Sequence, residues 1–519
     1  MRNWHSLYEI LKFPLEMIFL ACMMLGVGNL LTNDIYTAYF SFDSEIVMAV
    51  GQILHRLGQF LIVNFPLIIL CRFVARRAGS SVTVISALAG YVAFLVTTMF
   101  TAPANLGSSA YSSIFGLSVT TAGSSSLTST VRYPLQTGVL AVVIVTVITL
   151  ISYRRARNRN EYGFFSFASK ESVVAVRTVF FSILAGFLVS LVWKYVLMAV
   201  NKLITFISVD TTNPINLALF GAADRLLSVL NLSTLIRSPF WYGSNGGSWI
   251  NVAGTAVTGD VSIWSAQLNA NAITSMTGRF ITPYYILNIF AMPAVLIAFH
   301  TLITDPMERR RKRLLMILSV LAAMLFGTLL PMELMMVLLC PLLFFFHLGM
   351  TAMLFALLQS LHIYLGYAAA GTNTLSAQPG TLPELLLYIS QPGMEKTLIY
   401  IACIGVVMFL VYFFATRFYF RHLAVDLFQT GETDRMVSGT IKAVGGVENI
   451  KMLQSNTSEL TVSVYDPQRI NAARLKKLGS CRVYETRAGF NICFGAASTM
   501  IHLGMKKAMR DSIRSVNES

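Results

Sequence analysis

Residues 215–241 read INLALFGAADRLLSVLNLSTLIRSPFW. Most of the stretch is apolar, yet Asp224 and Arg225 stand side by side within it. An apolar run of this length fits a bilayer, whose hydrocarbon core takes about 20 residues of helix. An ionisable residue inside such a run is costly and is a functional candidate by default. The rest of the chain repeats the apolar pattern. Further apolar runs lie near 13–31, 50–72, 82–103, 134–152, 174–200, 281–303, 313–330 and 397–416, with interrupted ones near 213–232 and 334–368. The expectation is about ten transmembrane or re-entrant segments.

Composition agrees. Of 519 residues, 55% are apolar and 12% charged; a soluble domain is roughly 25% charged. A large soluble enzyme, a disordered chain and a disulfide scaffold are excluded. Six cysteines are scattered without a CxxC pair, so neither a zinc site nor a disulfide framework is expected. The formal net charge of +15 reads as basic cytoplasmic loops rather than nucleic-acid binding. Its clusters are Arg76-Arg77, Arg154 to Arg157, Arg309 to Arg313, and Arg417 with Arg421-His422. Stretch 32–45 carries Asp34, Asp43 and Glu45 and no Lys or Arg, and should lie outside. These signs place the N-terminus in the cytoplasm, and the first apolar run reads as a retained helix, not a cleaved signal. Three polar or Pro-rich stretches, 104–132, 241–279 and 370–396, are too long for simple turns.

The composition changes after about Ala424. From 430 onward there are 13 Lys and Arg against 8 Asp and Glu, and no span fits a bilayer. Helices are expected over 436–443 and 498–510. Strands are expected near 450–453, 460–464, 482–485 and 490–494. Another helix should open at Asp466-Pro467, whose carboxylate and ring suit a first turn, and stop at Gly479. The result is a small cytoplasmic α+β domain.

Particular residues raise a family. The 215–241 stretch resembles the membrane domain, EIIC, of glucose-superfamily phosphotransferase-system (PTS) permeases. GTLLPMEL at 327–334 stands where that family has Gly-Ile-Thr-Glu-Pro-Ile-Glu-Phe. Residues 341–347 match its Pro-Leu-x-Tyr-x-x-His, and LGVG at 25–28, NFPLII at 64–69 and SALAGY at 86–91 fit too. The tail resembles the EIIB domain through GGVENI at 445–450, LKKLG at 475–479 and Phe494-Gly495. The resemblance implies an EIIC-like permease domain over 1–424, a linker over 425–433 and an EIIB-like domain over 434–519. It also implies a homodimer in a bacterial inner membrane, with sugar as ligand, an EIIA or regulatory protein as possible partner of the tail, and no cofactor. No EIIA-like segment is recognisable.

The departures from the family pattern are chemical. Where EIIB has its phosphorylated cysteine, in Leu-Asp-Ala-Cys-Ile-Thr-Arg-Leu-Arg, this chain has Asn456. An amide is no nucleophile toward phosphohistidine. Glu459 and Thr461 replace the two arginines that would clamp the phosphate. No catalytic residue is therefore expected. Ser455 and Thr457 lack a local activator, and Cys481 and Cys493 lie in the second half of the domain, away from that loop. In the membrane part, Leu330 stands at the family's sugar-binding Glu and Leu329 at its Thr. Ser233-Thr234 replace its His-His step, and Arg237 lies near its Asn. Arg225, Glu333, His300 and His347 match family positions. The candidate ligand-binding residues are thus Arg225, Ser233, Thr234, Glu333 and His300. The roles of Gly259-Asp260 and Thr277-Gly278 stay open. Three readings also stay open: a permease that works without phosphorylating its own tail, a sensor acting through a pseudo-EIIB domain, and an ordinary PTS phosphotransferase.

Overall fold

The computed structural model describes residues 2–33, 44–102, 114, 119–122, 129–157, 170–251, 254–270, 273, 277–303, 306–367, 379–423, 432–456, 458–480, 482–486 and 489–517. Segment 34–43, most of 104–132, residues 370–378, Thr457 and Cys481 lie outside them. The described residues hold eight helices long and apolar enough to cross a membrane: Phe13–Thr32, Glu45–Val63, Ser81–Thr101, Val139–Ala156, Glu171–Val209, Thr282–Leu302, Pro341–Ser360 and Glu395–His422. The shorter apolar helix Leu329–Leu338 joins them.

Three expected segments are cut differently, each for a backbone reason. The 50–72 run is two helices, Glu45–Val63 and Phe65–Ala78. Pro66 has no N–H to give back to the preceding turn, and at the break both the backbone and the side-chain nitrogen of Asn64 donate to Phe60 O, at 3.0 and 2.8 Å. The 313–330 run is a helix over Pro306–Phe326 that stops at Gly327, where φ is +61°. The 334–368 run is split into Leu329–Leu339 and Pro341–Ser360, because Pro341 interrupts the ladder.

The chain forms two compact units. One comprises Ile10–Tyr284 and Leu348–Thr397. Its first core gathers Leu70, Val74, Tyr91, Phe94 and Val145. There the Ser81–Thr101 helix packs closely on the Lys170–Val209 helix. A Cβ at Gly90 would meet Thr178 and Ser182, and one at Gly186 would meet Phe94 O. Small residues allow such approach where water drives nothing together. Thr101 adds a hydroxyl bond to Ser190 at 2.8 Å. Two short hairpins also belong here: β1 (Val119–Ala122) with β2 (Ser129–Arg132), and β3 (Ser248–Ile250) with β4 (Ala256–Thr258).

The other unit comprises Met1–Glu9, Tyr285–His347 and Leu398–Ser519. Its C-terminal part is an antiparallel sheet of β5 (Ile450–Ser455), β6 (Glu459–Val464), β7 (Arg482–Thr486) and β8 (Gly489–Cys493), in the order β5-β6-β8-β7. Leu460, Val462 and Ile492 alternate onto one face. They pack with Val437, Val444, Ile501 and Met505 of the helices Glu432–Val444 and Ser498–Asn517. One expectation fails in detail. Asp466-Pro467 opens only a 3₁₀ turn, Pro467–Arg469, and the helix starts later, at Ala472. Asn471 supplies its cap, accepting from Arg474 N at 2.9 Å.

Candidate functional site

The Pro214–Val229 helix starts with Pro214 in its first turn, and Asn213 Oδ1 accepts from Ile215 N at 2.9 Å. Leu217, Phe220, Gly221, Asp224 and Ser228 are buried along it at intervals of three and four, so they share one face. Gly221 leaves room for the Phe355 ring. The chain turns at Asn231, whose φ is +58°, and a short helix, Thr234–Trp241, brings Arg237 and Trp241 onto one side.

Asp224 is wholly buried at the centre. It accepts from Arg225 Nε at 3.0 Å and from Arg225 Nη2. Arg237 Nε reaches Oδ1 at 2.5 Å, and its Nη2 reaches Oδ2 at 3.0 Å. The Tyr284 hydroxyl donates to the same carboxylate. Each guanidinium also lies over an aromatic ring, Arg225 4.8 Å from Tyr284 and Arg237 4.8 Å from Trp241. Such stacking stabilises a cation taken out of water. One carboxylate therefore serves two guanidiniums, in a dry setting where charge interactions are strong.

The structure places the sequence candidates unevenly. Arg225 is in this cluster. Ser233 heads the short helix, its carbonyl accepting from Arg237 N at 2.9 Å. Thr234 donates to Gln136 Oε1 at 2.5 Å, and Gln136 Nε2 reaches Asn231 O at 3.3 Å, so this hydroxyl fastens the turn. Glu333 lies in the other unit, fully buried, with Oε1 3.3 Å from His347 Nε2. His347 Nδ1 is 2.8 Å from the Tyr412 hydroxyl. His300 is half-buried near the end of the Thr282–Leu302 helix. Arg237, Trp241 and Tyr284 were not singled out as candidates. The signal for Arg237 was present, a cation inside an apolar run; Tyr284 gave none.

The polar 241–279 stretch is closed by a clasp. Asp260 Oδ1 accepts from Gly278 N at 2.9 Å, where Gly278 takes φ +95°. Thr277 donates to Gln267 at 2.9 Å. Burial raises the Asp260 carboxyl to about 6, against the pull of the backbone amides it faces.

In the tail, Asn456 organises the β5–β6 connection. Its Oδ1 accepts from Ser458 N at 2.8 Å and Glu459 N at 2.6 Å. Glu459 in turn accepts from the Tyr484 hydroxyl at 3.0 Å. Cys493 corrects an expectation. It stands directly across from Glu459 in the ladder, and Gly495 N bonds Ser458 O at 2.8 Å. It therefore lies at the same end of the sheet as the loop, not away from it, though only 2% exposed. The antiparallel pairing of β6 with β8 brings together residues that the sequence separates. Among the described residues no group of three His, Cys, Asp or Glu could hold a metal.

Long apolar helices around buried, paired charges define a polytopic helical membrane protein. The family model described as phosphotransferase system, EIIC, matches residues 9–352, about two thirds of the chain, so the chain belongs to that family. It is a multi-pass membrane protein of the sugar-transporting PTS class.

Proposed function

We propose that this chain is an EIIC–EIIB-like permease that binds a sugar or related solute and moves it across the inner membrane without phosphorylating it on its own tail. The EIIC-like domain spans 1–424 and the EIIB-like domain 434–519, joined by a linker at 425–433. The N-terminus and the tail face the cytoplasm. The observation that carries this reading is the Asn456 loop. An unreactive carboxamide occupies the position of the phospho-acceptor, and its oxygen is committed to two backbone amides. Glu459, beside it, brings a charge that repels phosphate. Arg225, with Ser233 and Thr234 close by in sequence, supports a ligand site in the membrane part; Glu333 and His300, in the other unit, are further candidate ligand-binding residues.

The test combines labelling and uptake. The purified full-length protein is incubated with the general phosphotransfer proteins and radiolabelled phosphoenolpyruvate, and uptake is measured in cells lacking those proteins. The expected result is an unlabelled tail and uptake that persists. A label on wild type that disappears in Cys493→Ser would establish an ordinary phosphotransferase instead, using the cysteine that faces Glu459. The absence of uptake and of sugar binding, together with capture of a regulator by the tail, would establish a sensor.

A further inference from the structure

Two donors in the Asp224 cluster have no acceptor among the described residues. Trp241 is fully buried, and among the described residues its Nε1 meets no acceptor. A buried indole N–H normally has a partner. Arg237 spends Nε and Nη2 on Asp224, and among the described residues no acceptor is recorded for its Nη1. The two side chains are neighbours, since the Arg237 guanidinium carbon lies 4.8 Å from the centre of the Trp241 ring. Only about 10% of the Arg237 side chain is exposed. Asp224 already accepts from Arg225, Arg237 and Tyr284. The site therefore offers hydrogens and a cation and has its carboxylate engaged. A hydroxyl oxygen could accept from both donors through its two lone pairs, but only an anionic oxygen also answers the cation.

We infer that Arg237 and Trp241 together receive an anionic group on the transported sugar, so that the substrate is a sugar acid or a sugar phosphate rather than a neutral hexose. This rests on the reading of the chain as a sugar-binding permease. The shared chemistry is a carboxylate or phosphate oxygen held by one guanidinium N–H and one indole N–H. The remaining sugar hydroxyls set the identity of the ring.

The experiment measures binding to the full-length protein in detergent at pH 7.5, by calorimetric titration of matched pairs. Each of galactose and glucose is compared with its uronate, and glucose also with gluconate and glucose 6-phosphate. At least one anion should bind ten-fold or more tighter than its neutral parent. Preference for a uronate or aldonate would assign a carboxylate; preference for the 6-phosphate would assign a phosphate. Trp241→Phe keeps the ring under Arg237 and removes only the N–H. It should weaken the preferred anion about ten-fold and the neutral parent by clearly less, so that the preference shrinks. Arg237→Gln should abolish the preference, and Trp241→Phe carries the test alone if that variant does not fold. Neutral parents binding as tightly as every anion, or Trp241→Phe weakening both members of a pair equally, would overturn the inference and leave the permease reading intact. No binding by any sugar, charged or neutral, would overturn both.

Discussion

Asn456 fastens its loop through two backbone amides. A cysteine thiol cannot take backbone N–H bonds as a carboxamide oxygen does, so on the proposed reading the residue that ends reactivity also holds the hairpin. Asn456→Ala should destabilise the tail by about 1–2 kcal/mol, read as faster amide exchange at 458–460. Asn456→Cys should still take no phosphate from a phosphohistidine donor, because Glu459 remains; labelling of that variant would show that the thiol alone was missing. A second prediction concerns His502, which is 3% exposed. Burial, with Lys506 nearby, lowers its imidazole to about 4, against about 6.5 in an unfolded chain. Above pH 6.5 both states are neutral and stability is unaffected. As pH falls from 6.5 toward 4 only the unfolded state takes up the proton, so stability is lost. The loss by pH 4 is about 3 kcal/mol. Denaturant titrations of the full chain, followed by tail fluorescence or exchange, should show this slope in wild type and not in His502→Leu.

At the scale of elements, the membrane part is organised by interruptions. Pro66, Gly327 and Pro341 each end a helix that hydropathy alone would continue, and the π turn at Leu287–Ala291 precedes Pro293. Helix breaks at membrane depth persist where neighbouring groups satisfy the freed backbone. The segment 363–367 illustrates this: Leu365 N bonds the Thr282 hydroxyl at 2.8 Å, and the Tyr388 hydroxyl reaches Gly366 O at 3.3 Å. Tyr388 also accepts from Trp264 Nε1 at 2.9 Å, which holds the indole against Gly366. A Cβ at 366 would fall on that ring. Gly366→Ala should therefore lower stability by about 1–3 kcal/mol, measured as the unfolding midpoint of the detergent-solubilised protein. An unchanged midpoint would mean that the indole moves freely.

For the whole molecule, the 39-residue span Glu171–Val209 is the outlying feature. At 1.5 Å per residue it extends about 60 Å, twice the hydrocarbon core. Phe180, Leu184, Leu188, Leu191 and Tyr195 are exposed along it. Such a face suits lipid or a second copy of the chain, and the family resemblance implies the second copy. The protein mass in the detergent complex should then be twice 57.3 kDa. Light scattering that returns one chain at micromolar concentration would refute the dimer.

Hydropathy and local spacing determined where most of the spans lie and that an α+β tail follows them. Those readings succeed because burial in lipid, helix period and strand alternation are properties of neighbouring residues. Asp224 and Arg225 were legible for the same reason, as charges in an apolar run. Only the tertiary structure decided what those charges meet. Arg237 and Tyr284 come from 13 and 60 residues away along the chain. Their convergence depends on the turn at Asn231 and on how distant helices pack, and no local pattern encodes that packing. The same holds for Cys493, which reached the Asn456 end of the sheet through strand pairing. A buried charge needs a partner, and the fold alone supplies it.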